Sequence, residues 1–341
     1  MRAAVLIALK KPLQIKDISM PSKLNYGQVL VKIFFSGVCG SQISEIDGLR
    51  GKDKNIPHLL GHEGSGKVMK IGPGVSNVKI GDLVVLHYMR NEGIESQTPK
   101  YLWNKKTISA GGITTFNEMA IVSENRLTRL PKNFDKRTAA LFGCAITTGF
   151  GVINNDSNLK LGQSVIILGL GGIGLSVCQS AALNSANPII GIDKHKVKIN
   201  LAKKLGLTHG FSIREKLKKK IYKLLQSDGA DVVVEATGKK EMIELAYKLT
   251  KKNGETILCG QPKRSDLIKL PILPENHKKK IKISLGGSAN PKEDINNYIR
   301  LFKAKKINIK KLITHEFPLK DINKAIKLLR SGKAGRILIR M

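Results

Sequence analysis

The fold is decided by the stretch Val165-Ile166-Ile167-Leu168-Gly169-Leu170-Gly171-Gly172-Ile173-Gly174, in which four apolar residues lead into a G-x-G-x-x-G loop. A strand, this loop and a following helix form the phosphate-binding turn of a dinucleotide-binding βαβ unit. The glycines at 169, 171 and 174 allow a tight turn, close approach of the backbone to a pyrophosphate, and close packing of helix on strand. The helix N-terminus then offers N–H groups and a positive dipole end to the phosphates.

The chain around this loop alternates between strand-like and helical runs. Predicted strands cover residues 163–168, 188–192, 231–235 and 256–259, and predicted helices cover 173–184, 197–205 and 241–249. This alternation predicts βαβ units and a doubly wound parallel sheet. The first 145 residues instead hold short strand-like runs, at 28–33, 66–71 and 82–86, punctuated by glycine, proline and asparagine. That pattern predicts a mainly antiparallel β domain with irregular loops.

An acidic residue follows the second predicted strand of the parallel sheet. Asp193 lies about 20 residues after the glycine loop, where a carboxylate can bind both ribose hydroxyls of NAD and repel the 2′-phosphate of NADP. Lys198 and Lys194 are nearby cations that could tolerate that phosphate. The candidate cofactor contacts from this pattern are Gly169, Gly171, Gly172, Gly174, Asp193 and Lys198.

Two cysteines and a histidine are candidate metal ligands. Cys39, His62 and Cys144 each lie in a glycine-flanked loop. Two thiolates and an imidazole suit Zn²⁺, and three protein ligands leave the fourth tetrahedral position open for substrate. An open metal site followed by a dinucleotide loop indicates hydride transfer. For Cys178 and Cys259, which lie in a predicted helix and strand, we favour the simpler interpretation of buried thiols that pack as small apolar groups.

Composition narrows the class of protein. The 341 residues, 41% of them hydrophobic and 33 of them glycine, predict a two-domain α/β protein. The net charge of +33 raises the alternative of a basic nucleic-acid-binding protein. We expect no specific nucleic acid, because the lysines are spread along the chain and their runs lack interleaved aromatic residues. Apolar runs are too short for a membrane span, and four cysteines make no disulfide framework, so we expect a cytoplasmic location and no membrane partner.

Taken together, these motifs resemble the zinc-dependent alcohol dehydrogenases of the medium-chain dehydrogenase/reductase superfamily. The resemblance covers essentially the whole chain. It rests on Gly61-His62-Glu63-x-x-Gly66-x-x-x-x-x-Gly72-x-x-Val75, Gly37-Val38-Cys39-Gly40-Ser41, Gly143-Cys144-Ala145-Ile146-Thr147-Thr148-Gly149, Gly81-Asp82, Glu235-Ala236-Thr237-Gly238 and Gly332-x-x-x-Arg336.

The resemblance implies a GroES-like catalytic domain, a Rossmann domain and a C-terminal segment that returns to the catalytic domain. We place these at residues 1–145, 146–286 and 287–341. It also implies one role for each of several residues: zinc ligands Cys39, His62 and Cys144; Glu63 beside the metal; Thr148 and Ile173 lining the nicotinamide; and Arg336 contacting the cofactor phosphates. We expect a homo-oligomer, either a dimer or a tetramer.

The chain departs from this family in three places. Residues 88–115 contain no cysteine, so we predict one catalytic zinc and no structural zinc. Gln42 stands where relatives usually carry an aspartate that orients the imidazole ligand. Its amide oxygen could still accept the ring N–H, but it would raise the basicity of the ligand less. Ser44 replaces a histidine that ends the proton relay in some relatives, so a relay here would run from Ser41 through the nicotinamide ribose to water.

The predicted function is a zinc-dependent oxidoreductase that transfers a hydride between a small-molecule alcohol and NAD, giving an aldehyde or ketone. Ser41, Glu63 and Thr148 are the candidate catalytic residues. The pocket candidates are Ser41, His87, Trp103 and Phe142, and the polar ones among them suit a polyol or a sugar-derived alcohol. One alternative is a zinc-free quinone or enone reductase of the same superfamily, against which the intact ligand set argues. The other, from a different class, is the basic nucleic-acid-binding protein.

Overall fold

The computed structural model of the chain describes residues 1–213, 217–271, 273, 276 and 278–341. Strands and helices are numbered in chain order. The strands are β1 (Arg2–Leu6), β2 (Gln14–Asp17), β3 (Gln28–Val38), β4 (His58–Leu59), β5 (Glu63–Ile71), β6 (Leu83–His87), β7 (Tyr101–Trp103), β8 (Lys106–Ile108), β9 (Met119–Ser123), β10 (Leu127–Arg129), β11 (Val165–Leu168), β12 (Ile189–Ile192), β13 (His209–Phe211), β14 (Ala230–Glu235), β15 (Thr250–Leu258), β16 (Lys280–Ile283), β17 (Ile313–Pro318) and β18 (Arg336–Arg340). The helices are α1 (Gly40–Ile46), α2 (Lys136–Ala140), α3 (Ala145–Gly151), α4 (Gly172–Leu183), α5 (Lys196–Lys203), α6 (Leu217–Leu225), α7 (Lys240–Leu249), α8 (Pro291–Lys303) and α9 (Ile322–Ser331).

The first compact unit is built on a seven-stranded, mainly antiparallel sheet. It comprises Met1–Cys144, Asn290–Arg300 and Ile313–Met341. The strand order is β10-β6-β5-β3-β18-β17, and β9 also pairs with β3. Alternate apolar side chains of β3 are buried with those of β5, β6 and β9, as expected for a half-buried strand. This confirms the predicted GroES-like, β-rich fold of the first region.

The ends of neighbouring strands in this unit bring the candidate metal ligands together. β3 ends at Val38, directly before Cys39, and β5 begins at Glu63, directly after His62. The two strands are paired in antiparallel register. Cys144 follows a short 3₁₀ turn after α2. A Cβ atom at Gly143 would lie 2.2 Å from the Leu86 carbonyl oxygen. Only glycine therefore lets the Cys144 loop cross these strands so closely.

The second compact unit is a parallel α/β layer structure. It comprises Ala145–Ala289 and Leu301–Leu312. Its six strands run in the order β13-β12-β11-β14-β15-β16, and every neighbouring pair is parallel. Numbered within the unit this order is 3-2-1-4-5-6, the doubly wound arrangement of dinucleotide-binding folds. The predicted Rossmann fold is therefore confirmed. Residues 301–312, inside the segment predicted to return to the catalytic domain, belong to this second unit.

Several elements differ from the sequence prediction. β13, α6 and β16 were not predicted; β13 has only three residues, and β16, the run Lys280–Ile283, has only four. The helix α6 does carry a recognisable signal, since Leu217, Ile221 and Leu225 follow helical spacing. No helix among the described residues is both long and apolar enough to cross a bilayer.

Candidate active site

Three potential metal ligands converge in the first unit. The ligand atoms of Cys39, His62 and Cys144 all lie within 4.8 Å of one another, with both cysteines buried and the histidine half-buried. In a tetrahedral zinc site the ligand atoms lie about 3.5–4 Å apart, because Zn–S bonds are about 2.3 Å and Zn–N bonds about 2.0–2.1 Å. The three side chains therefore fit a zinc ion with only a small adjustment. In the part of the chain that the structure describes, this is the group that could hold a metal.

The surroundings of Cys39 favour its thiolate, the form that binds metals. The Cys144 thiol donates a hydrogen bond that holds the pKa of Cys39 well below its usual value, and His62 and the charge of Arg336 act in the same direction. Burial opposes these effects. The other two thiols differ. Burial raises the pKa of Cys178 to about 12 and also raises the pKa of Cys259, so both are inert packing groups at neutral pH.

The amide of Gln42 lies between Cys39 and His62. Gln42 is the third residue of α1 and is 1% exposed. Its Oε1 accepts the backbone N–H of Cys39 at 2.9 Å, and its amide nitrogen contacts Nδ1 of His62. Ser41 Oγ lies 3.4 Å from the same Nδ1. We expected the amide oxygen to face the imidazole, and the structure has the opposite orientation, because the fixed N–H at the start of α1 takes that oxygen.

Glu63 and Arg336 form a buried ion pair next to the ligands. Glu63 is 0% exposed and Arg336 is 3% exposed. Burial lowers the pKa of Arg336, while its hydrogen bond to Cys39 and the charge of that thiolate act to raise it. A Cβ atom at Gly37 would lie 2.4 Å from Oε1 of Glu63, so this glycine leaves the space that the pair occupies. Arg336 thus links Glu63 to a metal ligand, a role that no local sequence pattern predicts. Its contact with cofactor phosphates stays a prediction.

The glycine loop of the second unit has the geometry of a phosphate site. Gly169 has a φ of +90°, and a Cβ atom at Gly174 would lie 1.9 Å from the Gly169 carbonyl oxygen, so both positions require glycine. A Cβ atom at Gly171 would meet nothing within 4 Å. Gly171 is also the N-cap of α4, whose first N–H groups have no partner inside the helix. The open space above Gly171 therefore suits a pyrophosphate.

Asp193 fixes this loop to the end of β12. It is 7% exposed, and its two carboxylate oxygens accept the N–H groups of Leu170 at 2.9 Å and His195 at 2.8 Å. Each oxygen retains a second lone pair for a ribose hydroxyl. Lys198 lies half-buried in the first turn of α5, and Thr148 is buried within α3. Ile173 is half-buried in the first turn of α4.

Glu235 supports the loop from the neighbouring strand. Its buried carboxylate accepts hydrogen bonds from the N–H groups of Thr237, at 2.7 Å, and Gly238. Burial raises the pKa of Glu235. A Cβ atom at Gly169 would lie 2.4 Å from the Thr237 methyl group, so this turn packs directly against the glycine loop. The motif Glu235-Ala236-Thr237-Gly238 thus positions the backbone at the edge where β11 and β14 end.

Comparison with known proteins agrees with both sites. Residues 25–132 match the model of the alcohol dehydrogenase GroES-like domain, and residues 172–304 match that of the zinc-binding dehydrogenase. Alcohol dehydrogenase 6 of Peromyscus maniculatus is 30% identical, over 99% of this chain and 97% of its own length. The chain belongs to the zinc-dependent alcohol dehydrogenases of the medium-chain dehydrogenase/reductase superfamily. The putative alcohol dehydrogenase D of Mycobacterium tuberculosis H37Rv is 29% identical, over 99% of this chain and 98% of its own length.

A solved structure supports the fold of this alcohol dehydrogenase. Benzyl alcohol dehydrogenase from Acinetobacter calcoaceticus superposes with a TM-score of 0.89 at 24% identity, covering 100% of this chain and 99% of that one. The predicted family, fold class and reaction class are confirmed. The Cys39–His62–Cys144 group fits the catalytic zinc of the family, and NAD is the cofactor that the family implies.

The predicted pocket residues differ in their surroundings. Both ring nitrogens of His87 are engaged, Nδ1 with the Met89 carbonyl oxygen at 2.8 Å and Nε2 with Thr128 Oγ1 at 3.1 Å. His87 is 1% exposed, and burial lowers its pKa to about 4, so it packs inside the sheet rather than lining a pocket. Trp103 is half-buried beneath the Lys16 ammonium, which lies 4.6 Å from its ring centre.

Residues 88–95, the first part of the cysteine-free segment 88–115, are held by two charged side chains. Arg126 is 8% exposed, donates to the Tyr88 carbonyl oxygen at 2.5 Å and pairs with Glu95 at 2.7 Å. Both oxygens of the buried Glu124 carboxylate accept hydrogen bonds from backbone N–H groups, including that of Ile94 at 3.0 Å. Sequence reasoning missed both residues, because nothing in their local pattern separates them from surface charges. The absence of a structural zinc stays a prediction.

Proposed function

We propose that Cys39, His62 and Cys144 hold one zinc ion at which the dehydrogenase oxidises an alcohol with NAD⁺. The observation that carries this proposal is the convergence of the three ligand atoms beside a stabilised Cys39 thiolate. When bound, the zinc supplies Lewis-acid chemistry that lowers the pKa of the substrate hydroxyl, and NAD⁺ supplies the hydride acceptor.

The residues around the ligands have separate tasks in this proposal. Ser41, whose Oγ also accepts a hydrogen bond from the Gln42 amide at 3.4 Å, takes up the substrate proton and passes its own onward. Glu63, neutralised by Arg336, keeps the buried side of the site free of net charge. Thr148 and Ile173 line the nicotinamide. Substitution of Ser41 by alanine should lower kcat by about 100-fold or more. Ser44→Ala, in the same helix, is the matched control and should leave kcat unchanged.

Metal analysis tests the ligand set. We expect one zinc per wild-type chain and loss of both zinc and activity in Cys39→Ala and Cys144→Ala. Cys178→Ala removes a thiol that is buried in the second unit, and this variant should keep its zinc. A folded Cys39→Ala protein that still binds one zinc and oxidises alcohols would contradict the proposal.

The proposal includes a preference for NAD over NADP. It is supported by the placement of the Asp193 carboxylate at the end of β12, beside the glycine loop. A carboxylate there binds ribose hydroxyls and repels a 2′-phosphate. The test is kcat/KM for NAD⁺ and NADP⁺ across a panel of alcohols, polyols and sugar alcohols, since we also propose a polyol or sugar-derived substrate. Higher kcat/KM with NADP⁺ would refute this role of Asp193.

We also infer that the chain forms a homo-oligomer, as a dimer or a tetramer. This is supported by β16, which lies at the edge of the parallel sheet and exposes Ile283 (85%) and the following Leu285 (72%). An exposed sheet edge, with its unpaired N–H and C=O groups, is a template for pairing with a second strand. Light scattering should give a multiple of the 37.4 kDa chain mass, reduced by Ile283→Lys. A wild-type monomer at micromolar concentration would refute this inference.

A reducing compartment suits this site, and we propose the cytoplasm. None of the four cysteines, all of which lie in the described residues, forms a disulfide, and two of them are the thiolates that the metal requires. A low-pKa thiolate is the form most easily oxidised. Fractionation of cells that produce the protein, together with thiol titration, tests this location. An extracellular protein with oxidised Cys39 would contradict it.

A further inference from the structure

Two buried hydroxyl groups lie beside the loop that carries His62. Ser36, three residues before Cys39 in β3, and Thr115, which lies between β8 and β9, are both 0% exposed. Their oxygens are 2.6 Å apart, a hydrogen-bond distance. Both also reach the backbone carbonyl oxygen of Glu63, Ser36 Oγ at 3.0 Å and Thr115 Oγ1 at 3.3 Å. The pair therefore joins the strand that leads to one candidate ligand to the backbone next to another.

The number of protons fixes the direction of these hydrogen bonds. Each hydroxyl has one proton to donate, and the carbonyl oxygen has none. If both protons pointed at the carbonyl, the two hydroxyl oxygens would face each other at 2.6 Å with no proton between them. One hydroxyl must therefore donate to the other, and the second to the carbonyl of Glu63. The shorter distance identifies Ser36 as the donor to the carbonyl, so Thr115 donates to Ser36.

Thr115 also contacts the loop on the other side of His62. Its backbone N–H donates to the Leu60 carbonyl oxygen at 3.1 Å. A Cβ atom at Gly61 would lie 2.5 Å from Thr115 Oγ1, and a Cβ atom at Gly64 would lie 3.1 Å from the Thr115 methyl carbon. The two glycines therefore let Thr115 pack directly against the loop backbone. These contacts lie both before and after His62 in the sequence, so the candidate ligand stands on a segment that Thr115 holds at both ends.

We propose that Thr115 and Ser36 are positioning residues of the metal site, which hold residues 60–64 and thereby set where His62 stands relative to Cys39. The inference rests on the zinc site proposed above. Neither residue is a metal ligand, and both act through the backbone of the loop. A metal site needs its ligands held within about 0.5 Å of the productive geometry, and side chains on a loop meet that requirement only if the backbone of the loop is fixed.

The two hydroxyls share one acceptor, which makes their effects on zinc binding non-additive. Ser36→Ala leaves Thr115 Oγ1 within 3.3 Å of the Glu63 carbonyl oxygen, and Thr115→Val leaves Ser36 Oγ at 3.0 Å. Each single variant should therefore weaken zinc binding only slightly. The double variant removes both donors, and its dissociation constant for zinc should rise by about 10-fold, the lower end of the range for groups that orient metal ligands. This rise should exceed the product of the two single effects.

The first test is the dissociation constant for zinc of the full-length wild type, the two single variants and the double variant, measured by competition with a chromophoric chelator. Thr115→Ser keeps the hydroxyl and is the matched control, which should bind zinc as wild type does. NADH binding, followed by fluorescence, should be the same in all variants, which separates a local effect from a general loss of folded protein.

Two results of this test would overturn the inference. One is a folded double variant that binds zinc as tightly as wild type. The other is a Thr115→Ser protein that binds zinc as weakly as the double variant, because the hydroxyl would then not be the group that matters. Either result leaves the proposed function intact if wild type binds one zinc. Failure of the proposed function would instead appear as wild type without zinc.

The second test measures the geometry of the site rather than the stability of the chain. Cobalt(II) replaces zinc, and its visible absorption bands depend on how the ligands are arranged around the metal. At saturating cobalt the double variant should show shifted bands, whereas residues that only stabilise the fold would leave the spectrum of the folded protein unchanged. Ser36→Ala should show a smaller shift in the same direction, because the remaining hydroxyl is farther from the carbonyl.

The spectra of the single variants keep the inference testable if the double variant does not fold. Thr115→Ser should match wild type, and Ser36→Ala should differ from both. A double variant with the wild-type spectrum overturns the inference. If the double variant is unfolded, identical spectra of Ser36→Ala and wild type overturn it instead.

Discussion

The buried His87 should make the stability of the first unit depend on pH between about 6.5 and 4. Burial lowers its pKa in the folded state to about 4, whereas an unfolded histidine has a pKa of about 6.5. A group with a lowered folded pKa binds its proton first in the unfolded chain. As the pH falls below 6.5, His87 therefore stabilises the unfolded state, until the folded protein also takes up the proton near pH 4.

The magnitude follows from the two pKa values. Each pKa unit of difference corresponds to about 1.36 kcal/mol, so the His87 contribution falls by about 1.4 kcal/mol between pH 7.5 and pH 5.5. Between pH 7.5 and a pH below 4, the His87 contribution to the free energy of unfolding falls by about 3 kcal/mol in total. The side chain is almost fully buried and its two hydrogen bonds are to protein groups, so solvent screening is small.

His87→Gln separates this effect from all other titrations. Glutamine keeps a hydrogen-bonding side chain but does not titrate, so any loss from imperfect packing is the same at both pH values. Urea unfolding of wild type and variant, followed by a probe in the first unit, gives the free-energy difference at pH 7.5 and at pH 5.5. The stability advantage of wild type should shrink by about 1.4 kcal/mol at the lower pH. A difference that is unchanged between the two pH values would refute the reasoning.

Three further predictions concern single residues. Arg336→Met removes the guanidinium that pairs with the buried Glu63 carboxylate and should destabilise the first unit by about 3–5 kcal/mol, while Arg330→Met, at a part-exposed ion pair with Asp47, should cost less than about 1 kcal/mol by urea unfolding. Gly171→Ala should keep its melting temperature but lose NADH binding by fluorescence titration, whereas Gly174→Ala should lose both; unchanged NADH affinity in Gly171→Ala would argue against a phosphate site. A chelator should remove zinc without exposing residues 88–95 to protease, whereas Glu124→Gln should expose them; protection that depends on the metal would instead indicate a structural ion.

The sequence predicted those parts of the site that depend on short backbone motifs. The glycine loop is an example, because the positive φ of Gly169 and the close contact at Gly174 can be met by no other residue, and these constraints appear as a spaced pattern. The loops that carry Cys39 and His62 were recognisable for the same reason. Positions of this kind can be recognised in the sequence, because the site chemistry or the backbone conformation permits only one residue type there.

Contacts between strands that are distant in the sequence could not be predicted in this way. Arg336 meets Glu63 because β18 pairs with one side of β3 and β5 with the other, a relation that no local pattern encodes. The orientation of the Gln42 amide depends on where the backbone N–H of Cys39 points. β16 alternates lysine with isoleucine as a strand can, but it was missed because it has only four residues; none of them is fully buried, as suits an edge strand.

The pairing of β18 with β3 has a consequence for the order in which the protein matures on the ribosome. β18 is made about 300 residues after β3, and Ile337 then lies beside Val38, the residue before Cys39. The continuous segment Ala145–Ala289 of the second unit is synthesised between them and can fold while the first unit still lacks two strands of its sheet. Until β18 arrives, Glu63 lacks its ion pair with Arg336 and Cys39 is flanked by an open sheet edge. The nascent chain therefore contains both ligand cysteines for more than half of its synthesis before the metal site is complete. A reducing environment, which protects these thiols from oxidation, matters most during synthesis.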